Sequence, residues 1–207
     1  MEPHGHTGSI GGSLTTKQHE EDAKNVLEYF GYSKAILFGH SAGSLIVHQF
    51  AHDYPEKAVK LVYLGPLRLP HGKRTRATNF YDTVTYDDLF KLHVSWAGKR
   101  KREDPELRAI LKAEPCRLEP VRKFVKQYWA EMMRFEFQGT NDIEAWVIKG
   151  TEDTAIHPNA CEVIRDLTRA RMIEVQTGHF FTFEDPEATA AAIEITLSEP
   201  RTAKAHL

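Results

Sequence analysis

Three residue types that together carry out acyl transfer stand in suggestive contexts. Ser41 is the middle residue of Gly39-His40-Ser41-Ala42-Gly43. The apolar run Ala35-Ile36-Leu37-Phe38 precedes it, and a helical pattern over 45–51 follows. Strand, sharp turn and helix with a serine at the apex form the G-x-S-x-G nucleophile elbow. The turn predicts a strained serine backbone. It also predicts that a Cβ at Gly39 or at Gly43 would clash. The helix that follows aims its first N–H groups at the site, where negative charge develops when a carbonyl is attacked. A serine hydroxyl needs a base to take its proton, and the base needs an orienting carboxylate. Asp153 in Gly150-Thr151-Glu152-Asp153 and His179 in Thr177-Gly178-His179-Phe180 each follow a strand-like run. Loops at the C-terminal ends of parallel strands are where such groups gather. Glu152 and, more weakly, Asp142 compete with Asp153 for the orienting role. His40 reads as structural, with its side chain pointing away from the serine. His48 and His52 read as surface or packing residues of the elbow helix.

These residues need a scaffold, and the chain supplies one in pieces. Residues 1–16 read as loop, and His4 and His6 lack the further ligands a metal would need. A helix starts at Gln18. Ala23, Val26, Leu27 and Phe30 fall on one stripe that predicts a buried face, and Gly31 ends it. After the elbow, Tyr54-Pro55 closes the second helix, and 59–64 is an apolar strand stopped by Gly65-Pro66. Segment 67–141 is charged and poor in strand signal. It predicts helices over 86–96, after Asp104-Pro105, and from Pro120 through Phe124, Tyr128, Trp129 and Met132. Aromatics and methionines there suit either a core or the substrate-facing side of a lid. Lys99-Arg100-Lys101-Arg102 reads as a solvated loop. Strands return over 143–148 and 172–175, with helices over 159–170 and 186–197. Helices alternating with strands through short connections predict an α/β protein with a mainly parallel sheet. The expected organisation is a first core part over 1–66, a helical insertion over 67–141, a second core part over 142–200 and a tail over 201–207.

Composition bounds the rest. The 207 residues carry a formal net charge of -2, which offers no electrostatic basis for nucleic acid as a partner. No apolar run approaches the roughly 20 residues that span a membrane, so no stable insertion is expected. The first residues lack the apolar region of a signal peptide. Cys116 and Cys161 have no metal-ligand spacing and read as free thiols of an intracellular, reducing compartment.

Taken together, these motifs resemble the α/β-hydrolase superfamily over nearly the whole chain. Gly39-His40-Ser41-Ala42-Gly43 resembles its G-H-S-x-G elbow. Gly150-x-x-Asp153 resembles the G-x-x-D turn that carries its acid, and this spacing selects Asp153 over Glu152. Gly178-His179 with Glu184 and Pro186 resembles the G-H-x-x-x-x-E-x-P signature around its histidine. The insertion resembles the family's helical cap. The resemblance implies a serine hydrolase for an ester, lactone or thioester that needs no cofactor and no metal. Ser41 attacks, His179 acts as base and then acid, Asp153 orients His179, and the Ala42 N–H forms part of the oxyanion hole. The serine argues against the dehalogenases and epoxide hydrolases of this fold, which use aspartate at the elbow. Acyltransferases and carbon–carbon hydrolases share the Ser-Asp-His set and stand as alternatives.

The chain also departs from that pattern. Gly5-His6-Thr7-Gly8-Ser9 resembles the family's G-H-G-x-S loop after its fourth strand, which implies an α/β-hydrolase fold without its N-terminal strands. The loop that supplies the second oxyanion donor is then missing, and losing one such donor costs typically 10²–10³ in rate. Ile36 to Phe38 becomes an exposed apolar sheet edge that invites self-association. A second reading is therefore a non-catalytic fragment or decayed paralogue. Ala205-His206-Leu207 resembles the peroxisomal S-K-L tripeptide, so cytoplasm and peroxisome are the two expected locations.

Overall fold

Four apolar runs pair side by side into one parallel sheet, in the order β1-β2-β3-β4. They are β1 Ala35–His40, β2 Ala58–Leu64, β3 Glu144–Gly150 and β4 Arg171–Val175. The structure is a computed structural model that describes residues 15–68, 83–113, 132, 135–140 and 142–198. The two central strands are apolar almost throughout and buried on both faces, as parallel strands covered by helices must be. Leu61, Val62, Tyr63, Val147 and Ile148 are fully buried. Among the described residues the α-helices are α1 Thr16–Tyr29, α2 Gly43–Asp53, α3 Tyr86–Trp96, α4 Pro105–Ala113, α5 Ala160–Thr168, α6 Phe181–Glu184 and α7 Pro186–Ser198. On one face Leu61, Tyr63, Ala145 and Val147 pack with Val47 of α2 and with Ala160, Cys161 and Ile164 of α5. On the other face Val62, Leu64, Trp146 and Ile148 pack with Phe181 of α6 and Ala192 of α7. The architecture is the α/β arrangement expected from the sequence. Among the described residues, no helix is long and apolar enough to cross a membrane.

Register places the functional loops at one end. His40 is opposite Leu64, Leu64 is opposite Ile148, and Gly150 is opposite Val175. The segments after β1, β3 and β4 therefore leave the strands at the same C-terminal end of the sheet and bring Ser41, Asp153 and His179 there. Helices α3 and α4 lie in the chain between β2 and β3. Thr85 and Asp88 form a capping box that starts α3. His4, His6, the 5–9 loop, Cys116, most of the expected 120–132 helix and the 201–207 tail lie outside the described residues.

The buried stripe expected on α1 is not buried. Val26 is 54% and Phe30 66% exposed, whereas Thr16, His19 and Glu20 of the first two turns are buried. Periodicity identifies residues that share a helix face, but not which face meets the protein. Here the N-terminal half of α1 carries the contact, and Lys17 pairs with both Glu20 and Asp53 of α2. Gly31 does end the helix, at φ 74°. Residues of β1 are also open: Ile36 is 37% and Phe38 40% exposed, and β1 has a single strand neighbour among the described residues.

Of the two readings of His48, surface or packing, the structure shows packing. His48 is buried between α2, β2 and the 135–140 segment. Its Nε2 accepts from the Gln138 N–H at 3.0 Å, so its Nδ1–H donates to the Tyr63 hydroxyl at 2.8 Å. Phe135 and Phe137 pack edge-on against the ring. Burial, with His52 nearby, pushes its pKa down to about 4. The unfolded chain takes up this proton below about pH 6.5, and the folded chain only near 4. Stability is therefore expected to fall as pH drops through that window, by up to about 3 kcal/mol. Urea unfolding at pH 7.5 and 5.0 checks this, and His48→Gln should show the smaller drop.

Candidate active site

Ser41 sits where the expected elbow places it, at the C-terminal end of β1. Its φ is 51°, a left-handed conformation that costs a non-glycine residue energy and persists only when neighbours enforce it. The neighbours are identifiable. The Ser41 N–H donates to the Leu64 carbonyl at 3.0 Å, which continues the β1–β2 ladder into the turn. Its own carbonyl accepts from the N–H groups of Ser44 and Leu67 and from the buried Ser44 hydroxyl at 2.5 Å. Ser44 is a clamp that the motif alone did not reveal. Gly39 is sterically required, because a Cβ there would lie 2.6 Å from Val47 Cγ2 and 2.7 Å from the Gly43 carbonyl oxygen. Gly43 is not: a Cβ there meets nothing within 4 Å, so the expected clash exists on one side of the turn only. The Ala42 N–H, at the start of α2, has no acceptor among the described residues.

Asp153 and His179 meet. The His179 Nδ1–H donates to Asp153 Oδ2 at 2.8 Å, with 5% and 1% of the two side chains exposed. The other Asp153 oxygen accepts from the Ala155 N–H at 2.9 Å. With its proton on Nδ1, a neutral His179 keeps a lone pair on Nε2. The competing carboxylates are committed elsewhere. Glu152 accepts from the Lys99 N–H at 2.5 Å, and Asp142 precedes β3, at the end of the strand away from Asp153. The Ser41 hydroxyl makes no hydrogen bond to His179 among the described residues. Catalytic hydrogen bonds of this kind often tighten only when substrate is bound.

His40 has a larger part than its adjacency suggested. Its Nε2–H donates to the main-chain carbonyl of His179 at 2.9 Å, and the two rings lie 4.7 Å apart. It ties the turn that carries the serine to the loop that carries the histidine. Desolvation and the neighbouring His179 push its pKa down to about 4. The residue as a whole is exposed, so the surroundings of the ring, not the residue's average accessibility, set that direction. Trp96, at the end of α3, was also not singled out. Its indole lies 5.7 Å from the His179 ring, and its carbonyl accepts the His179 N–H at 2.8 Å. Among the described residues no group of three or more His, Cys, Asp or Glu is placed to hold a metal ion. Burial pushes the Cys161 thiol up to about 12, so it stays protonated in the core.

Residues 3–186 match the model of the alpha/beta hydrolase fold family. The chain belongs to that family. Curated relatives of this α/β-hydrolase align over short segments. Epoxide hydrolase 1 of Caenorhabditis elegans is 46% identical over 41 residues, which are 20% of this chain and 10% of that protein. Homoserine O-acetyltransferase of Thermus thermophilus is 39% identical over 67 residues, 32% of this chain and 17% of that protein. The aligned part is thus far less than two thirds of either relative. Solved structures agree in fold. The enol-lactonase of Burkholderia xenovorans superposes with a TM-score of 0.80 at 17% identity, covering 95% of this chain and 78% of that one. A thermophilic esterase of Thermogutta terrifontis gives 0.77 at 17% identity, covering 93% and 75%.

Gly39→Ala is expected to destabilise this α/β-hydrolase by about 1–3 kcal/mol, because α2 backbone must move to admit the methyl. Gly43→Ala should change stability by less than about 1 kcal/mol, since the site is open and helical. Urea denaturation of both variants measures the contrast.

Proposed function

We propose that this chain is a serine hydrolase for an ester, lactone or thioester. The observation that carries the reading is the desolvated Asp153–His179 hydrogen bond, at the same sheet end as a serine held at positive φ. His179 Nε2 takes the Ser41 hydroxyl proton as Oγ bonds to the carbonyl carbon. The carbonyl π electrons move onto oxygen, and the Ala42 N–H at the α2 N-terminus faces that charge. Collapse breaks the bond from the carbonyl carbon to the leaving oxygen or sulfur, which takes the proton from His179 and becomes the alcohol or thiol, still tethered to the acyl group when the substrate is a lactone. A water then repeats the sequence on the acyl-enzyme, releasing the acid and restoring Ser41. Asp153 fixes the tautomer throughout and stabilises the imidazolium that forms.

An acyltransferase is the alternative with a specific observation behind it, the local similarity to homoserine O-acetyltransferase. It differs only in the second acceptor, an alcohol in place of water. The similarity to epoxide hydrolases covers 20–24% of the chain. It is weighed against the serine at the elbow: an epoxide hydrolase of this fold forms an ester from an aspartate there.

Asp153→Asn tests the mechanism. The amide can hold His179 with the wrong nitrogen protonated, so kcat on a p-nitrophenyl ester should fall roughly 10³- to 10⁴-fold while KM stays within a few fold. Equal turnover by the wild type and Asp153→Asn would exclude the proposed roles. Acyl transfer to an added alcohol that outpaces hydrolysis would favour the acyltransferase.

A further inference from the structure

Glu184 is nine-tenths buried, and the mechanism above does not use it. Its carboxylate accepts three main-chain N–H groups. Oε2 accepts from Gly178 at 2.7 Å and from Gly98 at 2.8 Å, and Oε1 accepts from Phe180 at 2.9 Å. Two of these donors flank His179 on either side. The third belongs to the segment that follows α3. One side chain thus grips the histidine loop and the stretch that follows α3 at once.

The rest of that seam is backbone against backbone. The His179 N–H donates to the Trp96 carbonyl at 2.8 Å. A Cβ on Gly178 would lie 2.5 Å from Ala97 C and from the Trp96 carbonyl oxygen, and one on Gly98 would lie 3.0 Å from Gly178 N. The neighbouring acid loop is held by the same stretch. Lys99 N–H donates to Glu152 Oε2 at 2.5 Å, and the Thr154 hydroxyl donates to the Ser95 carbonyl at 2.8 Å. The two loops that carry Asp153 and His179 are therefore both fastened to residues 95–99. Trp96 is held against the His179 ring by that fastening.

We propose that Glu184 is a positioning residue: it sets the height of the His179 backbone and locks the end of α3 onto the site, so that the imidazole and its Trp96 wall move as one unit. This rests on the serine hydrolase reading. Charge-assisted bonds to three N–H groups are strong and directional, which suits a carboxylate here and no neutral group. Glutamine keeps the shape but must turn its NH₂ toward one of the N–H donors, so it restores only part of the grip.

The test compares wild type, Glu184→Gln and Glu184→Ala, each shown folded by circular dichroism. Kinetics on a p-nitrophenyl ester should show kcat reduced about 10- to 100-fold in Glu184→Ala, less in Glu184→Gln, with KM within a few fold. The His179 Nδ1–H proton, read by NMR, should be resolved in wild type, weakened in Glu184→Gln and lost or shifted in Glu184→Ala. That signal needs no turnover. A silent wild-type enzyme with the expected NMR series would therefore sink the hydrolase reading while leaving the positioning role standing. If Glu184→Ala does not fold, Glu184→Gln alone decides. An unchanged resonance with kcat within twofold of wild type, or a change confined to KM, overturns the proposal.

Discussion

A carboxylate and an imidazole, both withdrawn from water and bonded at 2.8 Å, are costly to bring together unless the backbone around them is fixed in advance. The Asp153–His179 pair is the constraint on which the arrangement of this chain turns. Each partner rides on a loop that leaves a parallel strand, and β3 and β4 are in register with Gly150 opposite Val175. Gly150 is tight for the same reason: a Cβ there would lie 2.6 Å from the Gly178 carbonyl oxygen. The acid loop and the histidine loop come within hydrogen-bond range only because their backbones approach this closely. The serine turn is joined to β2 through Ser41 N–H to Leu64, and to the histidine loop through the His40 ring to the His179 carbonyl.

The helical segment between β2 and β3 takes part in the same assembly. Its α3 helix ends in a stretch whose main-chain groups bond the histidine loop, the acid loop and Glu184. Arg102 turns back to bond the carbonyls of Ser95 and Ala97, which makes a compact stop of the basic run. Around His48, the 135–140 segment is fixed to α2 in turn. The segment is therefore anchored at its middle, through residues 95–99, and again where it returns to the sheet layer, through Gln138. Its Trp96 indole forms part of the surroundings of the imidazole.

Much of this was legible in the sequence, because the strands and the chemistry-bearing loops are local signals. Apolar runs ending in Gly39, Gly65 and Gly150 mark the strand ends, and the G-x-x-D and G-H motifs mark the loops behind them. What was not legible is which face or which partner a residue meets. The Ala23, Val26, Leu27 and Phe30 stripe has the right period, but the buried side of α1 is Thr16, His19 and Glu20. Gly43 fits the motif, yet its Cβ position is open. His40 and His48 look alike as lone histidines near the elbow. One bonds the His179 carbonyl, and the other bonds Tyr63 and Gln138, the latter 90 positions away. Glu184 was visible as a motif letter, but one of its three acceptor bonds comes from Gly98, far away in the chain.

The most direct measurement is intact-protein mass spectrometry after exposure to a fluorophosphonate, with Ser41→Ala alongside. The account predicts one phosphonyl adduct on the wild-type protein, located by peptide mapping at Ser41 and absent from the variant. A folded wild-type chain that gains no adduct, or an adduct that persists in Ser41→Ala, would contradict the claim that Ser41 is the activated nucleophile of this site.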